Sequence, residues 1–81
     1  MKFGIYSIRD CVAGVYMPPS YARNDEEMIR AVRYELLKPG MMKEYSEDYT
    51  VAKIGEFDDK TGEIIACNPS IIAHLSDLAG V

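Results

Sequence analysis

Aromatic and β-branched residues concentrate in four short stretches of the chain, a pattern that predicts strands. The four stretches are residues 3–9, 15–17, 49–57 and 63–67. Pro18 and Pro19 end the second stretch, because proline donates no hydrogen bond to a neighbouring strand. Gly55 lies inside the third stretch and marks a site for a β-bulge. Residues 20–23, SYAR, are predicted to form a connecting loop.

Apolar side chains recur at three- and four-residue spacing between residues 26 and 37, which predicts an amphipathic helix. Its apolar stripe consists of Met28, Ile29, Val32 and Leu36. Asn24 or Asp25 can cap its first turn, and Pro39 with Gly40 ends it.

A second helix is predicted after the last strand. Asn68 can cap it, and Pro69 suits its first position, where no hydrogen-bond donor is needed. Its apolar face would consist of Ile71, Ile72, Leu75 and Leu78, and Gly80 would end it. Residues 41–48, MMKEYSED, are predicted to be a polar connector between the first helix and the third strand.

Two segments share the same turn chemistry. RDCVAG places Asp10 four positions before Gly14, and FDDKTG places Asp58 four positions before Gly62. Aspartate at the start of a turn bonds nearby backbone groups, and glycine adopts the left-handed conformation that a hairpin turn needs. The order ββα–ββα follows. We expect a single α+β domain over residues 1–81, with a small antiparallel sheet from two hairpins and two helices on one face.

The first predicted strand is apolar on both sides. Phe3 and Ile5 are expected on one face of the sheet, and Tyr6 and Ile8 on the other. Both faces then need cover, and a second copy of the chain could supply it. A chain of 81 residues also has a small core with little stability to spare. We therefore expect a homo-oligomer.

Composition limits the function classes. The net charge of −4 disfavours a protein that coats nucleic acid through bulk charge. The N-terminal apolar run is broken by Gly4, Ser7 and Arg9, so we expect neither a signal peptide nor a membrane span. Cys11 and Cys67 form no CxxC motif and are expected to be reduced thiols, as in a cytosolic protein.

The acidic stretch IGEFDDKTGEII, residues 54–65, raises the question of a metal or catalytic site. Its carboxylates suit a hard cation, but the spacing of a calcium-binding EF-hand loop is absent. Hairpin chemistry explains the aspartate and glycine, so we expect a turn here. His74 is the single histidine and belongs to no triad or zinc pattern. We expect no enzyme activity, no cofactor and no metal.

Tyrosine and arginine are the side chains that point to a partner. Six tyrosines occur without tryptophan, and four arginines lie in the first half of the chain. Aromatic rings beside arginines on a sheet are typical of proteins that bind single-stranded nucleic acid. The candidate nucleic-acid-binding residues are Tyr6, Arg9, Tyr16, Arg23, Arg30 and Arg33. The same residue types dominate protein interfaces, so a protein-binding or dimer surface is the competing interpretation.

Three segments carry a resemblance to a known family. The opening GIYSIRD with the glycine that follows it, the helix NDEEMIRAV and the hairpin IGEFDDKTG resemble the small nonstructural protein of gokushoviruses, which are single-stranded DNA phages of the microvirus group. The segment from NPSII onwards is similar only loosely. The resemblance implies an early or replicative protein in the host cytoplasm. Through comparison with protein C of coliphage-type microviruses, it implies a role when replication changes to single-strand synthesis with packaging.

One hypothesis and one alternative follow. The hypothesis is a non-enzymatic phage protein that regulates replication or packaging of a single-stranded DNA genome. It would bind DNA, a phage or host replication protein, or both, without contacting a membrane. The alternative is a protein-interaction module, a homodimer or an adaptor, that does not touch DNA.

Overall fold

The computed structural model describes residues 1–79. Its elements in chain order are β1 (Lys2–Asp10), β2 (Val15–Tyr16), β3 (Ser20–Ala22), α1 (Asp25–Glu35), α2 (Met41–Glu44), a 3₁₀ helix (Ser46–Asp48), β4 (Tyr49–Asp58), β5 (Ile64–His74) and α3 (Leu75–Ala79). The predicted α+β class with a small antiparallel sheet is confirmed. The predicted ββα–ββα order holds with two additions, β3 before α1 and α2 after it. The segment predicted as a connector, residues 41–48, instead contains α2 and the 3₁₀ helix.

All strands join one antiparallel sheet in the order β2–β1–β4–β5, and β3 also pairs with β1. Because β4 pairs with β1 along its whole length, β2 and β3 share the other edge of β1. Pro18 and Pro19 separate them. In the gap, the Ser7 hydroxyl donates to the carbonyl oxygen of Met17 at 2.6 Å, so this buried group keeps a partner.

The loop prediction for SYAR is wrong, because its first three residues form β3. Ala22 is buried in the core, and Tyr21 packs edge-on against Phe3 with ring centroids 5.8 Å apart. These two contacts hold the chain beside β1 after the proline pair. Only Arg23 of the predicted loop lies outside a strand.

Both predicted hairpin turns are confirmed, with nearly the same geometry. The N–H of Gly14 donates to the carbonyl of Asp10 at 2.8 Å, and the N–H of Gly62 donates to that of Asp58 at 2.8 Å. The φ angles of the two glycines are 73° and 77°, a region that other residues rarely adopt. Each aspartate also accepts backbone N–H groups of its own turn through Oδ1.

The first helix forms as its spacing predicts. The side chain of Asn24 accepts a hydrogen bond from the N–H of Glu27 at 2.8 Å, which caps the first turn.

The buried side chains of the helices and the sheet form one core cluster. Its members are Tyr6, Ala22, Met28, Val32, Leu36, Tyr49, Val51, Leu75 and Leu78. Helices α1 and α3 therefore cover the same face of the sheet.

The predicted second helix is wrong over most of its length. Strand β5 runs through Pro69 to His74, and only Leu75–Ala79 is helical. β5 is an outer strand, so a proline without an N–H can be accommodated where the pairing with β4 is interrupted. Gly80, the predicted end of the helix, lies outside the described residues.

The predicted irregularity at Gly55 is confirmed. Ile5 pairs with Gly55 and Tyr6 pairs with Lys53, so Ile54 is an extra residue on β4. The extra residue keeps Phe57 in register with Phe3 at the far end of the strand pair.

Candidate binding surface

One face of the sheet carries no helix from residues 1–79, and we call it the open face. Phe3 and Ile5 lie on it, while Tyr6 and Ile8 face the helices, as the alternation in β1 predicts. The register places two kinds of side chain at its two ends: an apolar half and a polar row.

The apolar half of the open face is built around three aromatic rings that pack against one another. Phe3 contacts Tyr21 edge-on, and its ring centroid lies 6.5 Å from that of Phe57. A shallow groove of about 630 Å³ runs between these rings and Ile64. The residues lining it are Phe3, Ile5, Pro19, Ser20, Tyr21, Phe57, Asp59 and Ile64.

The outer members of the apolar half are largely exposed. Tyr21 and Ile64 each expose 71% of their surface. A contiguous group of exposed apolar and aromatic side chains is typical of an interaction surface, because water contact with it is unfavourable. Ile71 extends the exposed apolar surface along β5, since it pairs with Ala52 on this face.

Charge at the edge of the apolar half is compensated within the chain. Asp59 accepts a hydrogen bond from the N-terminal amine of Met1 through Oδ1 at 2.7 Å. Within residues 1–79, Asp59 is the single acidic or basic side chain that lines the groove. The groove therefore presents neither a basic residue for phosphate nor an unpaired acid.

The polar row crosses strands β2, β1, β4 and β5 at the opposite end of the open face. Tyr16 pairs with Arg9, Arg9 with Thr50, and Thr50 with His74. The Arg9 guanidinium lies over the Tyr16 ring, 5.5 Å from its centroid. Among residues 1–79 Arg9 makes no ion pair, and its buried Nε has no hydrogen-bond partner. The row thus combines a stacked cation with a tyrosine and an imidazole.

Tyr6 does not belong to this surface, contrary to its place in the predicted nucleic-acid site. It is 1% exposed, and its hydroxyl donates to Oδ1 of Asp25 at 2.6 Å. Burial, followed by this hydrogen bond, raises the pKa of the Tyr6 hydroxyl above its ordinary value. A ring held in the core cannot stack on a base, so Tyr6 is a structural residue.

The other predicted arginines lie apart from the open face. Arg23 pairs with Glu27, with its Nε 3.1 Å from Oε2. A hydrogen bond from the backbone N–H of Arg23 is the main cause of the lowered pKa of the Glu27 carboxyl. Arg30 and Arg33 are exposed on α1, in the helical layer. Of the six predicted residues, only Arg9 and Tyr16 share the open face.

Sequence reasoning missed several residues of this surface. Phe57 and Ile64 were assigned to strands but not to a binding surface, although the two-sided apolar pattern of β1 indicated a second apolar face that needs cover. His74 was placed on a helix, and only the pairing of β5 with β4 puts it beside Thr50.

Comparison with known proteins identifies the family of the chain. A model of the family described as phage ORF5 protein matches residues 3–78. The chain belongs to the phage ORF5 protein family. The match extends from β1 into α3 and so includes both turns and the open face. No curated protein and no solved structure matches this phage protein.

Within residues 1–79, no helix is both long and apolar enough to cross a membrane. Over the same described residues, no three His, Cys, Asp or Glu side chains are grouped so that they could hold a metal ion. Asp58 serves the turn, and a hydrogen bond from the backbone N–H of Lys60 is the main cause of the lowered pKa of its carboxyl. The neighbouring acids pair elsewhere, Glu56 with Lys53 and Asp59 with the Met1 amine.

Proposed function

We propose that this phage ORF5 protein is a non-enzymatic accessory protein of a gokushovirus-type single-stranded DNA phage. It acts in the host cytoplasm during genome replication or packaging, and it acts by binding protein through its open face. The family match supports the phage origin. The opening strand, first helix and second hairpin resemble gokushovirus nonstructural proteins. This resemblance supports a role during genome replication or packaging.

The observation that carries the protein-binding role is the exposed apolar half of the open face. Tyr21 and Ile64 are among its most exposed members, and aromatic side chains are enriched at the centres of protein interfaces. Phosphate groups need cations, and among the described residues no lysine or arginine lines the groove. The net charge of −4 also opposes binding to the negatively charged backbone of nucleic acid. A protein surface fits this half better than a nucleic acid does.

Affinity capture from phage-infected cells tests the proposal. Tagged wild type is compared with Ile64→Glu, which places a charge in the apolar half, and with Leu37→Glu as a matched control. Leu37 is also 71% exposed but lies beyond the end of α1. A partner protein, either a different protein or the untagged chain itself, should be captured in a fixed ratio to the tagged chain. It should remain bound after nuclease treatment and be lost only with Ile64→Glu. Capture that disappears with nuclease alone would contradict protein binding.

Single-stranded DNA contact is a second candidate, and the polar row favours it. Arg9 stacked on Tyr16, in register with His74, offers a cation and aromatic rings on a sheet surface. Fluorescence titration with single- and double-stranded oligonucleotides across a salt series tests it. Arg9→Ala should weaken binding and reduce the slope against log salt by about one. No binding at low salt would remove this candidate.

A further inference from the structure

We infer that the partner of the open face is an acidic, apolar protein segment, in which a carboxylate lies about 20 Å from an aromatic or aliphatic side chain. The carboxylate pairs with Arg9, and the apolar side chain enters the groove beside Phe57. The inference rests on the proposed function, because it states the chemistry of the protein that occupies the same face.

The distribution of charge over the sheet points to an acidic partner. Among residues 1–79, the strands place one basic side chain, Arg9, and no acid on the open face. Alternation directs their other charged side chains to the helical side. These are Lys2, Asp10, Lys53, Glu56 and Asp58. Asp59, beside the groove, is compensated by the Met1 amine. In a chain of net charge −4, the open face is therefore positive at one end.

Arg9 is held in a position that suits a carboxylate. Its guanidinium lies over the Tyr16 ring, which restricts the side chain before a ligand arrives, so less conformational freedom is lost on binding. Within residues 1–79 it makes no ion pair, and its buried Nε has no hydrogen-bond partner. Such a donor is unusual in a native protein, and a guanidinium can donate two parallel hydrogen bonds to a carboxylate. An acidic partner would supply the acceptor that this guanidinium lacks in the free chain.

The distance between Arg9 and the groove defines the length of the segment. Arg9 and Phe3 are six residues apart on β1, which is about 20 Å. An extended segment spans that distance with about seven residues, and a helix spans it with about fourteen. At the groove end, the exposed Tyr21 and Ile64 border a space of about 630 Å³, which has room for an aromatic or aliphatic side chain.

A single cation favours a carboxylate over a nucleic-acid strand. A strand carries a phosphate at every nucleotide, and its binding proteins follow the backbone with a groove of positive charge. Along the open face the one strand-borne cation is at the Arg9 end of the described residues, and the rest of the path is apolar. A protein segment with one acid and one apolar anchor matches both ends.

Selection from a yeast-displayed library of random peptides, each of about fifteen residues, tests the inference with the full chain as immobilised target. Peptides enriched on wild type should combine aspartate or glutamate with aromatic or aliphatic residues at a fixed spacing. Arg9→Glu should replace the acid preference by a preference for lysine or arginine, and Ile64→Glu should remove the apolar preference. Arg33→Glu is the matched control, because Arg33 is exposed on α1, and it should leave the wild-type pattern unchanged. Circular dichroism of each variant establishes that the fold is retained.

Titration of one enriched peptide measures the charge contact. Replacing its acid by the corresponding amide should weaken binding to wild type by at least about tenfold and have little effect on binding to Arg9→Ala.

Three results would overturn the inference. The first is a library without enriched peptides, or with enriched peptides that lack an acid. The second is an acid preference that persists in Arg9→Glu. The third is displacement of the peptide by a single-stranded oligonucleotide or by further copies of the wild-type chain, which would name those as the occupant. In each case, protein capture from infected cells that depends on Ile64 and not on Arg9 would leave the proposed function standing.

Discussion

Gly4→Ala tests how firmly the buried Tyr6 ring is held. A Cβ atom at Gly4 would lie 2.5 Å from Cε2 of Tyr6, which is far inside van der Waals contact. The ring cannot turn aside freely, because it is 1% exposed and its hydroxyl is bonded to Asp25. The substitution must therefore displace the ring, and the displacement breaks the link between β1 and the start of α1.

The magnitude follows from three effects. Overpacking a core typically costs about 1–3 kcal/mol, and the lost Tyr6–Asp25 hydrogen bond adds about 0.5–1.5 kcal/mol. Replacing glycine by alanine recovers about 0.4–1 kcal/mol by restricting the unfolded chain. We expect a net loss of about 0.5–4 kcal/mol, centred at about 2 kcal/mol, in the free energy of unfolding. In a domain of this size, each kcal/mol lowers Tm by about 4–8 °C.

Urea denaturation followed by circular dichroism measures this loss, and a double-mutant cycle assigns its cause. In a Tyr6→Leu background the clashing ring atoms are absent, so Gly4→Ala should cost less than about 1 kcal/mol. An equal cost in both backgrounds would show that the Tyr6 ring is not what makes glycine necessary at this position.

Three further predictions concern local structure. Asn24→Ala removes the cap of α1 and should lower the free energy of unfolding by about 1 kcal/mol in urea denaturation; Asn24→Asp, which retains an acceptor oxygen, should be nearly neutral. Gly62→Ala forces a side chain into a φ of 77° and should cost about 1–2 kcal/mol by the same assay, with no loss of α1 helicity. Because the pKa of Tyr6 is raised in the folded state, its stabilising effect is complete below the ordinary value of 10.0 and is lost as pH rises above it. Thermal melts at alkaline pH should show this extra loss in wild type and not in Tyr6→Phe; equal pH dependence of the two proteins would contradict it.

Local chemistry made much of this fold predictable. The aspartate and glycine of each turn fix a hairpin through bonds within a few residues, and Asn24 with its following apolar stripe fixes α1 in the same way. Apolar side chains on both sides of β1, such as Phe3 and Tyr6, also predicted a sheet with two apolar faces.

Contacts between distant residues decided what the sequence could not show. Ile71, Ile72, Leu75 and Leu78 satisfy helical spacing, but pairing with β4 draws the first two into a strand. The burial of Tyr6, one of the predicted nucleic-acid-binding residues, escaped prediction for a related reason. Alternation separates the faces of β1 without indicating which face the helices cover, so Tyr6 could not be recognised as buried from its position alone.

The proline interruptions of the sheet have a consequence for the behaviour of this protein at high concentration. Pro18 and Pro19 divide one outer edge into the short strands β2 and β3, and Pro69 interrupts the other edge within β5. An unbroken strand edge recruits further strands and leads to fibres. Neither edge of this sheet offers a long regular ladder for such growth. The prolines thereby give this phage protein a safeguard against amyloid-like aggregation at high concentration.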